Sequence, residues 1–389
     1  MLAPARVSDR VAQGLTPASL VAVTAVLFAV RLWAAATVGF GDSEALYASW
    51  ALHPQPAYLD HPGLVGAAAR LIGQGGAPTP ARAHVVTAVV ATLVPWLVVL
   101  VARLAGAERR RAFGAGVLVA LVPEIAVGLF ALTPDLLLAP LWLGSIALVL
   151  AAFREPATPS SARPGGGRGA PPQRAAALVG AGLLAGVAAS AKVSGVLLML
   201  ALVAAYASIA RSSARPDAVR LARSPWPWAG LAAGVVVVLP VAFYELSLGF
   251  PMLRHRFVET QAGAGISIRN LGAVLGGQLL YLSPLVAYLA VAAGRDLVRR
   301  RADDVESRVL FWSFSLPLLP LLVLCLWSPV AEPHWLAPPL LALPVHAARA
   351  PGSPALTQRL TRLAAVVAAA VTLAVHAWVL VPQAGALLP

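Results

Sequence analysis

The chain has 389 residues, of which 59% are apolar or aromatic and only 12% are charged, which excludes an ordinary soluble globular composition and indicates a membrane protein. Its single cysteine, Cys325, excludes an intramolecular disulfide and a cysteine-based zinc cluster. The basic balance, 29 Lys and Arg against 16 Asp and Glu, does not point to nucleic acid, because the cations lie in short stretches between apolar segments. Lys192 is the one lysine, and the preference for arginine reads as compositional bias.

A helix needs about 20 apolar residues to cross roughly 30 Å of hydrocarbon. Segments of that kind fall near 16–38, 83–104, 112–130, 135–153, 175–190, 193–210, 227–246, 271–293, 309–328, 334–350 and 363–382, which predicts an all-α, polytopic protein of about eleven transmembrane helices. With a cytoplasmic N-terminus, the inner connections hold 22 of the 29 cations, as the positive-inside rule requires. The first segment also reads as a signal peptide, since Arg6 and Arg10 precede it and Ala34 to Ala36 resemble a cleavage region. The Pro-, Gly- and Ser-rich stretch at 154–174 predicts a disordered cytoplasmic linker in an otherwise single membrane domain spanning 1–389, with no soluble domain after the last span.

Polar side chains gather in two outer segments, 39–82 and 247–270. The first mixes Asp42, Glu44, Asp60 and His61 with Tyr47, Trp50 and Tyr58, which suits short helices lying at the interface. On a helix Glu44 and Tyr47 share a face while Asp42 is turned about 200° from Glu44, so both carboxylates reach one pocket only if the helix begins between them. Asp42 or Ser43 is a good N-cap, and capping alone is the bland explanation of Asp42. Asp60 and His61 precede Pro62 and adopt an extended or turn conformation. Glu124 lies within an apolar segment, where a carboxylate needs a partner or a wet cavity. Thr133, Pro134 and Asp135 open the fourth span as cap and first turn.

Lys192 stands at the outer junction of the fifth and sixth segments, against the positive-inside trend, either snorkelling or binding phosphate. Arg254, His255 and Arg256 run against the same trend and suit an anionic ligand or lipid headgroups. Glu332, His334 and Trp335 sit at the outer start of the tenth segment, whereas His346 and His376 read as structural.

The order of these motifs resembles the lipid-linked-sugar glycosyltransferases of the GT-C superfamily, particularly the branch of protein O-mannosyltransferases and lipid A aminoarabinose transferases. The resemblance rests on Glu44-Ala45-Leu46-Tyr47, Tyr58-Leu59-Asp60-His61-Pro62-Gly63-Leu64, Thr133-Pro134-Asp135, Lys192-Val193-Ser194, Gln278 with Ser283-Pro284, and His334-Trp335-Leu336-Ala337-Pro338, colinear from about residue 40 to 340. The chain departs from that pattern where Ser43 stands in the place of the family's Asp, with Asp42 one position earlier, and where His334 replaces an Asn.

The resemblance implies a GT-C-like fold and an inverting, mannosyltransferase-like transfer of a sugar from a polyprenyl-phosphate donor to a hydroxyl-bearing lipid, glycan or protein of the envelope. It places the protein in a bacterial inner membrane among membrane lipids, with the active site facing the periplasm or exterior. Such a reaction needs one carboxylate base, Asp42 or alternatively Glu44, and cations on the departing phosphate, for which Lys192, Arg254, His255 and Arg256 are the candidates. Tyr47, Tyr58, Asp60, His61, Glu124, Asp135, His334 and Trp335 are then left to bind substrate. Carboxylates and histidines can also ligate a divalent cation, but no spacing fixes a geometry, and no other cofactor is indicated. The rival reading is a transporter or flippase of lipid-linked or anionic substrates, whose ionisable groups belong near the bilayer midplane rather than at its outer boundary.

Overall fold

The computed structural model describes residues 15–155, 172–213, 215–330, 332–350 and 358–381. Arg6 and Arg10, and most of the predicted linker at 154–174, lie outside them. All eleven predicted apolar segments are helical, and the one piece of β structure among the described residues is a bridge between Ala57 and Pro62. The main helices are α1 (Pro17–Thr37), α2 (Asp42–Ser49), α3 (Leu64–Ile72), α4 (Pro80–Leu104), α5 (Arg109–Leu121), α6 (Pro134–Phe153) and α7 (Pro172–Ala191). They are followed by α8 (Gly195–Ala210), α9 (Pro225–Ser247), α10 (Pro251–Phe257), α11 (Ile268–Leu282), α12 (Pro284–Arg299), α13 (Val305–Trp327) and α14 (Gln358–Leu380). Local chemistry sets the starts: Thr16, Thr79, Ser267 and Asp304 each accept a hydrogen bond from the backbone N–H three residues on.

Seven helices among the described residues are long and apolar enough to cross a membrane, or nine if two bent pairs each count as one span. The other two predicted segments are the 16-residue α8 and a run of short helices over Pro333–Arg349. The bends occur at prolines, which lack an N–H and obstruct the preceding turn. Pro123 bends the chain by 70° after α5, and Pro284 bends it by 105° between α11 and α12. Ser283, at the second bend, has the left-handed φ of 71°.

A break inside hydrocarbon frees carbonyls that must find donors. Arg31 of α1 supplies them at the first break, donating from Nη2 to the Ile125 carbonyl at 2.7 Å and from Nε to the Ala126 carbonyl at 3.1 Å. Its third contact, Nη1 to the Thr92 hydroxyl at 3.1 Å, fixes the guanidinium plane against α4. The segment that also reads as a signal peptide is therefore a packed member of the bundle.

Arginines at the opposite end of the bundle do comparable work on helix C-termini, where the last carbonyls lack intrahelical donors. Arg349 reaches the Ala105 carbonyl after α4, Arg174 and Arg215 reach those of Ala152 and Phe153 in α6, and Arg223 reaches Ala210 in α8. A planar fork can serve a carbonyl and a carboxylate together, as Arg349 does with Asp304 at 2.6 Å.

The core centres on α6, where Trp142, Leu143, Ile146, Leu150 and Phe153 are fully buried against α4 and α7. On the other side of α7, small residues let two backbones touch. A Cβ added at Gly182 or Gly186 would strike the backbone at Gly230 or Gly234 of α9, so both helices carry a small-xxx-small face.

Gly182→Val is expected to lower stability by about 1–3 kcal/mol through overpacking, read by thermal melting in detergent, while Gly272→Ala, whose Cβ would enter open space, changes it little. Arg31→Leu is expected to cost about 1–3 kcal/mol for each carbonyl left unpaired, with poor rescue by Arg31→Lys because an ammonium cannot span the fork. Equal melting of wild type and Arg31→Leu would contradict the role of that side chain.

Candidate active site

The first outer segment is built around Glu44. Gly41 is the N-cap of α2 and Asp42 its first residue, so Asp42 and Glu44 lie in one helix and point apart. Asp42 is exposed, with no hydrogen bond or ion pair from its side chain among the described residues. Glu44 is buried, and its Oε1 is 3.0 Å from His84 Nε2 and 2.8 Å from the Leu132 N–H, while Oε2 accepts from the Gly41 N–H at 3.1 Å. Burial pushes the Glu44 pKa up, but these hydrogen bonds outweigh it and hold the group below the ordinary carboxylate value. That tie is complete above the ordinary value and is lost as pH falls through the lowered one. One carboxylate thus joins α2, α4 and the turn that leads into Asp135.

A tight turn at residues 56–63 presents Asp60 and His61. It is closed by Tyr58 N–H to the His61 carbonyl at 2.9 Å and Gly63 N–H to the Pro56 carbonyl at 2.7 Å. Tyr58 stacks on Trp50 at 4.0 Å, and its hydroxyl, which accepts from the Gln55 N–H, lies 2.8 Å from the His53 carbonyl. Its hydroxyl therefore serves the turn. His61 is buried beside Tyr47, with ring centroids 5.9 Å apart. Burial, then the charges of Lys192 and Arg256, push the His61 pKa down to about 3, and the imidazole is neutral. Arg256 Nη2 lies 3.4 Å from His61 Nε2 and can only donate, which leaves the His61 proton on Nδ1. Burial and the neighbouring Asp60 carboxylate raise the Tyr47 phenol to about 12, so it keeps its proton.

The cationic side of the site comes from three separate elements. Lys192, in the turn between α7 and α8, donates to both oxygens of Asp135 at 2.8 Å, at the first turn of α6. His334 Nε2 lies 3.5 Å from the same carboxylate, and its Nδ1 is 3.0 Å from Glu332. Trp335 sits beneath two cations, with Lys192 Nζ 5.6 Å and Arg256 Cζ 5.0 Å from its ring centroid. Asp60 lies 4.0 Å from Arg256 and 3.8 Å from His255.

The helix that carries Arg256 is held by a residue not singled out in the sequence. Glu245, buried at the end of α9, accepts from the N–H groups of Met252 and Leu253 at 3.3 and 3.1 Å, capping the short helix α10. Its sequence signal is a carboxylate at the end of an apolar span, the same signal that marked Glu124. His84, at the start of α4, was likewise missed.

Asp60, His61, Lys192, Arg256, Gln261 and Trp335 line the mouth of one cavity of about 600 Å³. Apart from Ser194 its remaining wall is apolar and runs between α8 and α13, with Val193 of the preceding turn, Val196 and Leu197 on one side and Leu319, Val323 and Leu324 on the other. Asp42, Glu44, Tyr58 and Arg254 do not line it, and Arg254 is exposed. Glu124 lines a separate narrow cavity of about 90 Å³ between α5 and α12. Among the described residues no three His, Cys, Asp or Glu side chains gather as a metal-ligand set.

No protein-family model matches the chain, and no curated protein matches its sequence. Solved structures do. ArnT from Cupriavidus metallidurans superposes with a TM-score of 0.59 at 17% identity over 85% of this chain and 58% of its own, and its undecaprenyl phosphate complex with 0.57 at 19% over the same shares. The Archaeoglobus fulgidus oligosaccharyltransferase superposes with 0.55 at 13% identity, over 93% of this chain and 56% of its own. The chain therefore spans somewhat more than half the length of these proteins. Identities this low speak to architecture. The chain has the GT-C fold.

Proposed function

We propose that the chain is a glycosyltransferase that moves a sugar from a polyprenyl-phosphate donor to a hydroxyl-bearing acceptor of the envelope, with inversion at the anomeric carbon. The observation that carries this reading is the two-part cavity, in which cations at the mouth continue into an apolar trough between α8 and α13. Such a shape suits an anionic head on a long hydrocarbon tail. It is supported by the architectural likeness to ArnT, one structure of which is bound to undecaprenyl phosphate. The arginine-rich opposite face fits an inner-membrane protein whose site opens to the periplasm or exterior.

Phosphate is already a good leaving group, so the chain must remove one proton and receive one negative charge. The acceptor oxygen bonds to the anomeric carbon as the bond from that carbon to the phosphate oxygen breaks. The electron pair leaves with the polyprenyl phosphate. Lys192 gives two N–H groups to Asp135 and keeps a third for a phosphate oxygen, while Arg256 has donors beyond those near His61 and Asp60. Asp42, exposed at the start of α2 and outside the cavity lining, takes the proton of an acceptor that arrives from the aqueous side, since its side chain makes no hydrogen bond or ion pair among the described residues; Glu44 is spent on His84, Leu132 and Gly41. Asp60, His61 and His334 are left to orient sugar hydroxyls, with Tyr47 as a neutral donor. A divalent cation would find Asp60 as the carboxylate in the cavity lining and Glu332 beside His334, and the mechanism does not call on one.

Mass spectrometry of envelope glycoconjugates from cells with and without the gene identifies the product. On that background Asp42→Asn is expected to lose transfer by a factor of about 10²–10⁴ while still binding polyprenyl phosphate. Glu44→Gln is expected to cost stability first and turnover second. Wild-type transfer by Asp42→Asn would overturn the assignment of the base. Arg256→Ala is expected to weaken polyprenyl-phosphate binding by about ten- to a hundredfold, the value of one or two charge-assisted hydrogen bonds, measured by native mass spectrometry. Unaltered binding would remove Arg256 from the phosphate site. Lipid movement across vesicles without any sugar transfer would favour the flippase reading.

A further inference from the structure

Toward the opposite ends of α8 and α13 lies a second, separate cavity, which sugar transfer does not use. There Ser208, Arg211, Arg308 and Trp312 line an open cavity of about 630 Å³. The Arg308 guanidinium is fixed, donating from Nη1 to the Ser208 hydroxyl and from Nη2 to the Ala302 carbonyl, each at 3.0 Å. Its buried Nε has no hydrogen-bond partner among the described residues. Neither Arg308 nor Arg211 pairs with a carboxylate there, unlike Arg174, Arg215 and Arg349 on the same face. Two cations thus converge on one cavity whose lining, among the described residues, holds no carboxylate to meet them.

Above the cavity the helices present an apolar channel. Val196, Leu200 and Ala204 follow one another at four-residue spacing on α8 above Ser208, and Leu319 and Val323 continue the side of α13 that begins with Arg308 and Trp312. Val196, Leu200, Leu319 and Val323 are exposed, Leu319 at 65%. Trp312 stands one turn above Arg308, the depth at which an indole marks the boundary between headgroups and acyl chains.

We propose that this cavity binds the phosphodiester headgroup of an anionic phospholipid, with Arg211 and Arg308 on the phosphate, Trp312 beside the glycerol and the acyl chains along the exposed apolar residues of α8 and α13. The lipid is a companion at the arginine-rich face, at the opposite end of the helix pair from the cavity of Lys192 and Arg256. Two arginines near the surface favour an anionic over a zwitterionic lipid by about tenfold.

The full-length protein, purified in detergent and stripped of lipid, is titrated with phosphatidylglycerol, with phosphatidylcholine of the same chains, and with inorganic phosphate, and bound lipid is counted by native mass spectrometry alongside the melting temperature. Wild type is expected to retain phosphatidylglycerol about tenfold more tightly than phosphatidylcholine and to melt higher with it, with no effect of inorganic phosphate. Arg211→Gln, which breaks no hydrogen bond of that side chain among the described residues, and the double variant with Arg308→Gln are expected to lose the preference. Equal retention of the two lipids by wild type, a preference that survives in Arg211→Gln, or equal protection by inorganic phosphate would overturn the proposal.

Discussion

The contact between Lys192 and Asp135 is the point around which the active end of the bundle is arranged. A carboxylate at the first turn of α6 and an ammonium in the turn between α7 and α8 each face a steep penalty for leaving water, and 2.8 Å contacts to both oxygens offset it. The pair dictates where the other groups stand. Trp335 lies within cation–π range of the ammonium, His334 leans on the same carboxylate, and Arg256 covers the ring from the far side of the cavity. The geometry also leaves capacity, because an ammonium with two donors committed retains a third.

The rest of the fold delivers those groups to one place. Glu44 sets the turn before Asp135 by holding Leu132, the turn fixed by Tyr58 aims Asp60 and His61, and Glu245 fixes the helix bearing Arg256. Each is a buried carboxylate or aromatic hydroxyl serving backbone groups that irregular segments cannot pair among themselves. Arg31 does the same at the break after α5, and the glycine faces of α7 and α9 let two helices approach closely enough to close the bundle behind the site.

Much of this was legible in the sequence, for reasons that differ by residue. Asp60, His61 and Arg256 stood out in the two polar outer segments, and Asp135, Lys192, His334 and Trp335 at the outer ends of apolar spans, and the structure brings them together. The angular argument separating Asp42 from Glu44 was also sound, since α2 contains both and only Glu44 turns inward. It could not say which one turns inward, because that depends on His84, forty residues away. Arg254 and Arg256 form one basic cluster in the sequence, but α10 is helical and two positions apart is about 200°, just over half a turn, so only Arg256 reaches the cavity. The arginine bias gains a physical meaning, as forks on helix-end carbonyls, that composition alone does not reveal.

The most direct measurement is an experimental structure of the protein with a bound polyprenyl phosphate. The account requires the phosphate within hydrogen-bond distance of Lys192 Nζ and the Arg256 guanidinium, with the first isoprene units against Val196, Leu197 and Leu324 in the trough between α8 and α13. A headgroup seated instead at Arg211 and Arg308, or in the narrow cavity beside Glu124, with Lys192 still bound to Asp135 alone, would contradict it.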